Sequence, residues 1–135
     1  MAWDYEFTAS GPFDVFVTLS GQSSYEELRD GRRRMLDDPR FRPGLNVLVD
    51  NSHLDTTNAT ADTLRAIASS AAREYGDAGV AHVVMLAPQT VTYGLLRMWH
   101  TFLSDEFAGK ACVVSSLDEA HDWLASRLNA SQPKG

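Results

Sequence analysis

Leu45-Asn-Val-Leu-Val-Asp50, running directly into Asn51-Ser-His53-Leu-Asp55-Thr-Thr-Asn58, is the stretch on which the fold turns. Five residues that are almost all apolar lie between the turn signal Pro43-Gly44 and an acid. A run of this kind reads as a strand covered on both faces. The polar residues after it predict a turn, and the Thr56-Thr57-Asn58 cluster predicts the start of a helix. Ala61, Leu64, Ile67, Ala68, Ala71, Ala72 and Tyr75 then recur at helical spacing. A strand C-terminus beside a helix N-terminus is where open α/β sheets place their working sites. The turn residues Asp50, Ser52, His53, Asp55 and Asn58 are therefore the candidate binding turn.

The flanking sequence repeats the alternation. Trp3, Tyr5 and Phe7 alternate with Asp4, Glu6 and Thr8, which predicts a half-buried strand over 3–9. Ser10-Gly11-Pro12 is a turn, and a second strand over 13–19 completes a hairpin. Ser23 and Ser24 precede Glu26 and Glu27 at capping-box spacing, opening a helix that directs Tyr25, Leu28, Met35 and Leu36 inward and stops before Pro39. After the second helix, ended by Gly76 or Gly79, a strand over 80–87 closes at Pro88. A third helix follows over 90–103, then a strand over 110–114. A last helix is capped by Ser116 and Glu119, with Ala120, Trp123, Leu124 and Leu128 inward, before a frayed tail over 129–135. The expected fold is one α/β domain over residues 1–135. An N-terminal β-hairpin leads into four β-α units, and the sheet is mixed and mostly parallel with one antiparallel edge strand.

Composition bounds the function. The chain carries a formal net charge of −6, which argues against a nucleic-acid partner. The single cysteine, Cys112, sits in the apolar run Ala-Cys-Val-Val and reads as a buried thiol. Met1-Ala-Trp-Asp-Tyr-Glu6 has neither the basic region nor the apolar run of a signal peptide, and no stretch matches a membrane span. A cytoplasmic location, with at most peripheral membrane contact, is the expectation. His53, His82, His100 and His121 show no ligand spacing, so neither a metal nor another cofactor is expected.

The strand-helix order over residues 3–128 resembles the STAS-like domains, specifically the SpoIIAA-like branch. The resemblance is carried by Leu48-Val49-Asp50 and by Val84-Met-Leu-Ala87 followed by Tyr93-Gly94-Leu95. The closing Asp118-Glu119-Ala120-x-x-Trp123-Leu124 adds to it. Sulfate-transporter and anti-sigma-factor-antagonist domains share that fold. In the antagonists an Asp-Ser-Ser-Gly turn bears a phosphorylated serine at a helix start. Asp55-Thr56-Thr57-Asn58 is similar in position, so the resemblance implies Thr57, with Thr56 beside it, as phosphoacceptor. Threonine replaces serine here, asparagine replaces glycine, and the preceding loop is shorter. The branch is also similar to CRAL-TRIO lipid-carrier domains, which implies a small apolar ligand.

Three constellations complete the reading. Ser52, His53 and Asp55 contain the residue types of a hydrolytic triad, but such triads are recognised by geometry and neighbours in sequence rarely face one another. Arg32, Arg33 and Arg34 head an arginine-rich stretch interleaved with acids. It reads as a salt-bridged helix face or as a contact for an anionic surface. The third helix is apolar on more than one face, so Leu95, Met98, Trp99 and Phe102, with Phe107 in a flap-like loop after it, are candidates for an apolar ligand or a homodimer contact. The expected function is a non-catalytic regulatory or protein-binding module, switched by phosphorylation. The alternative is a carrier of a small nonpolar ligand or lipid that associates reversibly with membranes.

Overall fold

A computed structural model describes residues 2–8, 11–22 and 24–131. The turn residue Ser10, the cap candidate Ser23 and the tail beyond Ser131 lie outside the described residues. The elements run β1 (Ala2–Phe7), β2 (Val15–Gln22), α1 (Tyr25–Leu36), β3 (Asn46–Asp55) and α2 (Ala61–Asp77). They continue with β4 (His82–Leu86), α3 (Thr90–Thr101), α4 (Asp105–Ala108), β5 (Ala111–Val114) and α5 (Leu117–Ser131).

The sheet has five strands in the order β1-β2-β3-β4-β5. β1 is antiparallel to β2, and every later pairing is parallel. Each crossover through α1, α2 and α3 steps the same way across the sheet, so crossovers of one hand place all three helices on one face. Their core gathers Trp3, Val17, Met35, Val49, Tyr75 and Trp99. α5 follows the last strand and covers the other face, where Phe13, Leu48, Val84, Val114, Ala120 and Leu124 pack. The unbroken apolar run of β3 is explained by this: Val47, Leu48 and Val49 alternate between two covered faces and all are buried.

Local signals set most helix starts. Ser24 Oγ accepts from Glu27 N–H while Glu27 returns a bond to Ser24 N–H, a reciprocal capping box. Ser116 Oγ accepts from Glu119 N–H, but the Glu119 carboxylate turns to Ser115 instead. α5 also continues through the residues expected to begin a frayed tail, and Leu128 is exposed on it rather than inward.

The largest departure is at β3. The strand does not end at Asp50 but continues to Asp55. β4 supplies partners only as far as Leu86, opposite Asp50. β2, however, continues beyond Leu19, and after a register irregularity between Thr18 and Ser20 it pairs Ser20 with His53, Gly21 with Leu54 and Gln22 with Asp55. A polar segment becomes strand because a neighbour offers it a ladder. The second helix consequently starts later: its N-cap is Thr60, whose Oγ1 accepts from Thr63 N–H at 3.1 Å.

Candidate functional site

The β3 extension forms the back wall of an opening between α1, α2 and α3, at the C-terminal edge of the parallel strands. A groove of about 430 Å³ opens there. Its rim carries Gln22, Ser24, Asp55, Thr56, Asn58 and Thr63, and its floor is Leu28, Leu54, Leu64, Ile67 and Leu96. The same five apolar residues also line a smaller chamber of about 80 Å³ that reaches inward to Trp3, Arg32, Asn51, Tyr75 and Trp99. A larger groove of about 620 Å³ lies at the opposite edge of the sheet, with Arg73, Asp77, Glu106 and Lys110 among its walls. Parallel sheets place ligands at the C-terminal strand ends, so the smaller groove and its chamber form the candidate site.

Asn51 is fully buried where β4 runs out. Its Nδ2 donates to the carbonyls of Val49 at 3.1 Å and Leu86 at 3.2 Å, so the side chain continues the ladder that the backbone has lost. Its Oδ1 is buried without a hydrogen-bond partner, and so is the indole Nε1 of Trp3. Buried polar atoms of this kind are uncommon and costly.

Arg32 is 3% exposed. Its Nε donates to Glu74 Oε1 at 3.0 Å and its Nη2 to Ser70 Oγ at 2.7 Å. Arg33 Nε donates to the other Glu74 oxygen at 3.2 Å. The Arg32 guanidinium lies 5.7 Å from the Tyr75 ring centroid, and Tyr75 stacks on Phe107 with centroids 5.9 Å apart. Burial pushes the Tyr75 hydroxyl up to about 12, only partly opposed by Arg32, so it keeps its proton at neutral pH.

The arginines expected as one anionic-surface patch are thus divided. Arg32 is an interior ion-pair member, while Arg33 and Arg34 are exposed and Arg33 is drawn to Glu74. The signal was present in sequence: Leu28, Arg32 and Met35 fall on one helical stripe, with Gly31 beside it.

The binding-turn residues are also redistributed. Ser52 donates its hydroxyl to Asp50, and Gln89 Nε2 donates to the Ser52 carbonyl at 2.6 Å, tying the start of α3 to the β3 extension. His53 is exposed on the strand, and Asp55 binds Thr57, so Ser52, His53 and Asp55 form no relay. Thr57 is exposed, with its N–H and hydroxyl both directed to Asp55 Oδ1 at 2.9 and 2.5 Å. Those bonds from Thr57 hold the Asp55 carboxyl below its ordinary range. Thr56 and Thr57 lie ahead of the cap at Thr60, so neither begins the helix. Asp55, Thr56 and Asn58 stand on the groove rim.

Among the apolar candidates, Leu95 lines the groove and Met98 is exposed. Trp99 and Phe107 are core, at 2% and 4% exposure. Phe102 is half-buried beneath the Arg65 guanidinium, 4.8 Å from the ring centroid. The segment read as a flap is the short helix α4, fixed by Phe107. α3 is apolar on several sides because it meets the sheet, α2 and the α4 segment together, which leaves only Val91 and Met98 as exposed large apolar residues on it.

No group of metal-ligating side chains gathers among the described residues. His82 Nδ1 instead meets Asn46 Oδ1 at 2.8 Å, and burial lowers its pKa. Burial likewise pushes the Cys112 thiol up to about 12. Among the described residues no helix is long and apolar enough to cross a membrane.

Neither a protein-family model nor a curated protein sequence matches the chain. Among solved structures it is similar to the crystal structure of an uncharacterized protein of the DUF3478 family, with a SpoIIAA-like fold, from Shewanella loihica PV-4. The two share 18% identity over 91% of this chain and 92% of that one, with a TM-score of 0.52. The chain has a mixed α/β, SpoIIAA-like fold.

Proposed function

We propose that the protein is a non-catalytic module that binds a small, largely apolar ligand through the groove and chamber at the C-terminal end of β3. The observation that carries this reading is the shared wall. Leu28, Leu54, Leu64, Ile67 and Leu96 line both spaces, so an apolar neck leads from a polar rim to a buried end. Such a concave apolar site with few polar groups suits a small molecule. Binding rather than chemistry is favoured by what stands at the buried end. An amide, an indole, a paired guanidinium and a phenol that keeps its proton offer no group that exchanges protons near neutrality.

Ile67 is the residue to alter, because it is half-buried and lines the neck. Ile67→Trp should fill that neck while leaving the sheet untouched. Titration with 1-aminoanthracene, an uncharged apolar fluorophore, is expected to show saturable binding to wild type and at least about tenfold weaker binding to the variant. Absence of saturable binding to the wild type, or equal binding by a folded variant, defeats the proposal.

A second reading, a phosphorylation-controlled contact with a partner protein, is favoured by the exposure of Thr57 beside the groove rim. A phosphate there adds negative charge next to Asp55 and removes the hydroxyl donor of one of the two bonds that fold the turn. Peptide mass spectrometry of protein from its own cells should then find modified Thr57; a consistently unmodified residue removes this reading.

A further inference from the structure

The two ends of the site differ in chemistry. The surface that faces the inner chamber is almost wholly apolar. Several polar groups of its lining residues are engaged elsewhere: Asn51 Nδ2 donates to Val49 and Leu86, and Arg32 donates to Glu74 and Ser70. Asn51 Oδ1 and Trp3 Nε1 are sealed within the packing. A volume of about 80 Å³ holds only the last few carbons of a chain. The groove outside is the reverse. Its rim supplies hydroxyls, amides and two carboxylates, Asp55 and Glu27, and no basic residue lines it among the described residues. Glu27 closes the capping box of α1. Asp55 is exposed, and among the described residues its hydrogen-bond partners, Thr57 and Gln22, are neutral. Its negative charge is therefore uncompensated on the rim.

We propose that the site takes a linear aliphatic amine, with its methyl end in the chamber and its ammonium head at the rim beside Asp55. The inference rests on the groove and chamber being the ligand site. A polar group carried into the chamber would lose its hydration to an apolar wall, whereas a head left at the rim keeps water on its open side. The carboxylate of Asp55 then selects the sign of the head, attracting an ammonium and repelling an anion. An exposed pair of this kind contributes no more than about fivefold in affinity. Attraction of one head and repulsion of the other together separate the two ions by about tenfold.

The test is calorimetric titration of the full chain with octylammonium, 1-octanol, octanoate and 8-amino-1-octanol at about pH 7.5, where both amines and the acid are charged. The chain length is constant, so only the two ends vary. Octylammonium is expected to bind about threefold tighter than octanol and at least about tenfold tighter than octanoate. The amino alcohol should bind at least about tenfold weaker than octylammonium, because its hydroxyl would have to enter the chamber. In Asp55→Asn, whose Oδ1 can still accept from Thr57, the ratio of octylammonium to octanol affinity should fall by about threefold, to parity. Octanol or octanoate binding as tightly as octylammonium overturns the cationic head. An amino alcohol as tight as octylammonium overturns the orientation, and a folded Asp55→Asn protein that keeps the full ratio overturns the role of Asp55. If the variant does not fold, the four-way comparison on wild type decides. Failure of all four octyl compounds overturns the inference and leaves the ligand site standing, provided 1-aminoanthracene still binds. Failure of 1-aminoanthracene as well overturns both.

Discussion

Gly31→Ala is expected to lower the stability of the fold by about 3 kcal/mol, the upper range for forcing a group into a packed core. The usual expectation has the opposite sign. Alanine replacing glycine inside a helix gains about 0.5–1 kcal/mol from reduced backbone freedom in the unfolded chain. Gly31 lies within α1 and is buried. A Cβ there would stand 2.5 Å from both Cβ and Cγ of Trp3. Those atoms are near the backbone of β1, so the indole cannot rotate out of the way, and the strand or the helix must shift. The glycine is therefore what lets α1 lie against the antiparallel edge strand. Gly76 in α2 and Gly94 in α3 supply the control, because an added Cβ at either meets nothing within 4 Å. Alanine at each should raise stability by about 0.5–1 kcal/mol. Urea denaturation of the three variants measures this directly. A Gly31→Ala protein as stable as wild type would mean that Trp3 does not pack on α1 as described.

The contrast between Gly31 and the other helical glycines shows where sequence reasoning stops. Element order was legible because periodicity and capping are local: the Ser24–Glu27 box and the Val47–Val49 run each carry their own cause. The end of β3 was not legible, because Asn51 to Asp55 is strand only by virtue of Ser20–Gln22 alongside it. That single error moved the helix start from the Thr57 turn to Thr60. It also hid Asn51, whose side chain completes the ladder past the end of β4. Arg32 was hidden for a similar reason. Its position on the inner stripe of α1 is visible in sequence, but its partners Ser70 and Glu74 come from α2. The strand end where the candidate groove opens was legible all the same, since the C-terminal end of the central strand follows from topology alone.

Trp99→Ala is expected to have the largest effect of any single truncation considered, a loss of about 3–5 kcal/mol. On sequence alone Trp99 is a candidate anchor for a second copy of the chain, because α3 is apolar on more than one face. Truncating an interface anchor would weaken association and leave each protomer folded. The burial of Trp99, at 2% exposure and in the same core as Val49, Tyr75 and Leu96, requires the reverse. Its removal should depress the urea midpoint strongly and leave the oligomeric state of the remaining folded protein unchanged. The ring also lines the inner chamber, so the truncation enlarges a space that is already largely apolar. Apolar cavities made in this way take up small aromatic molecules, and millimolar indole should therefore restore part of the lost stability through binding to the native state alone. Met98→Ala, on the exposed side of the same helix, should change stability by no more than about 0.5 kcal/mol. Urea denaturation with and without indole, run beside sedimentation of both variants, separates the two roles. If Trp99→Ala kept wild-type stability but lost self-association, Trp99 would be an interface residue and the chamber would lack one of its walls.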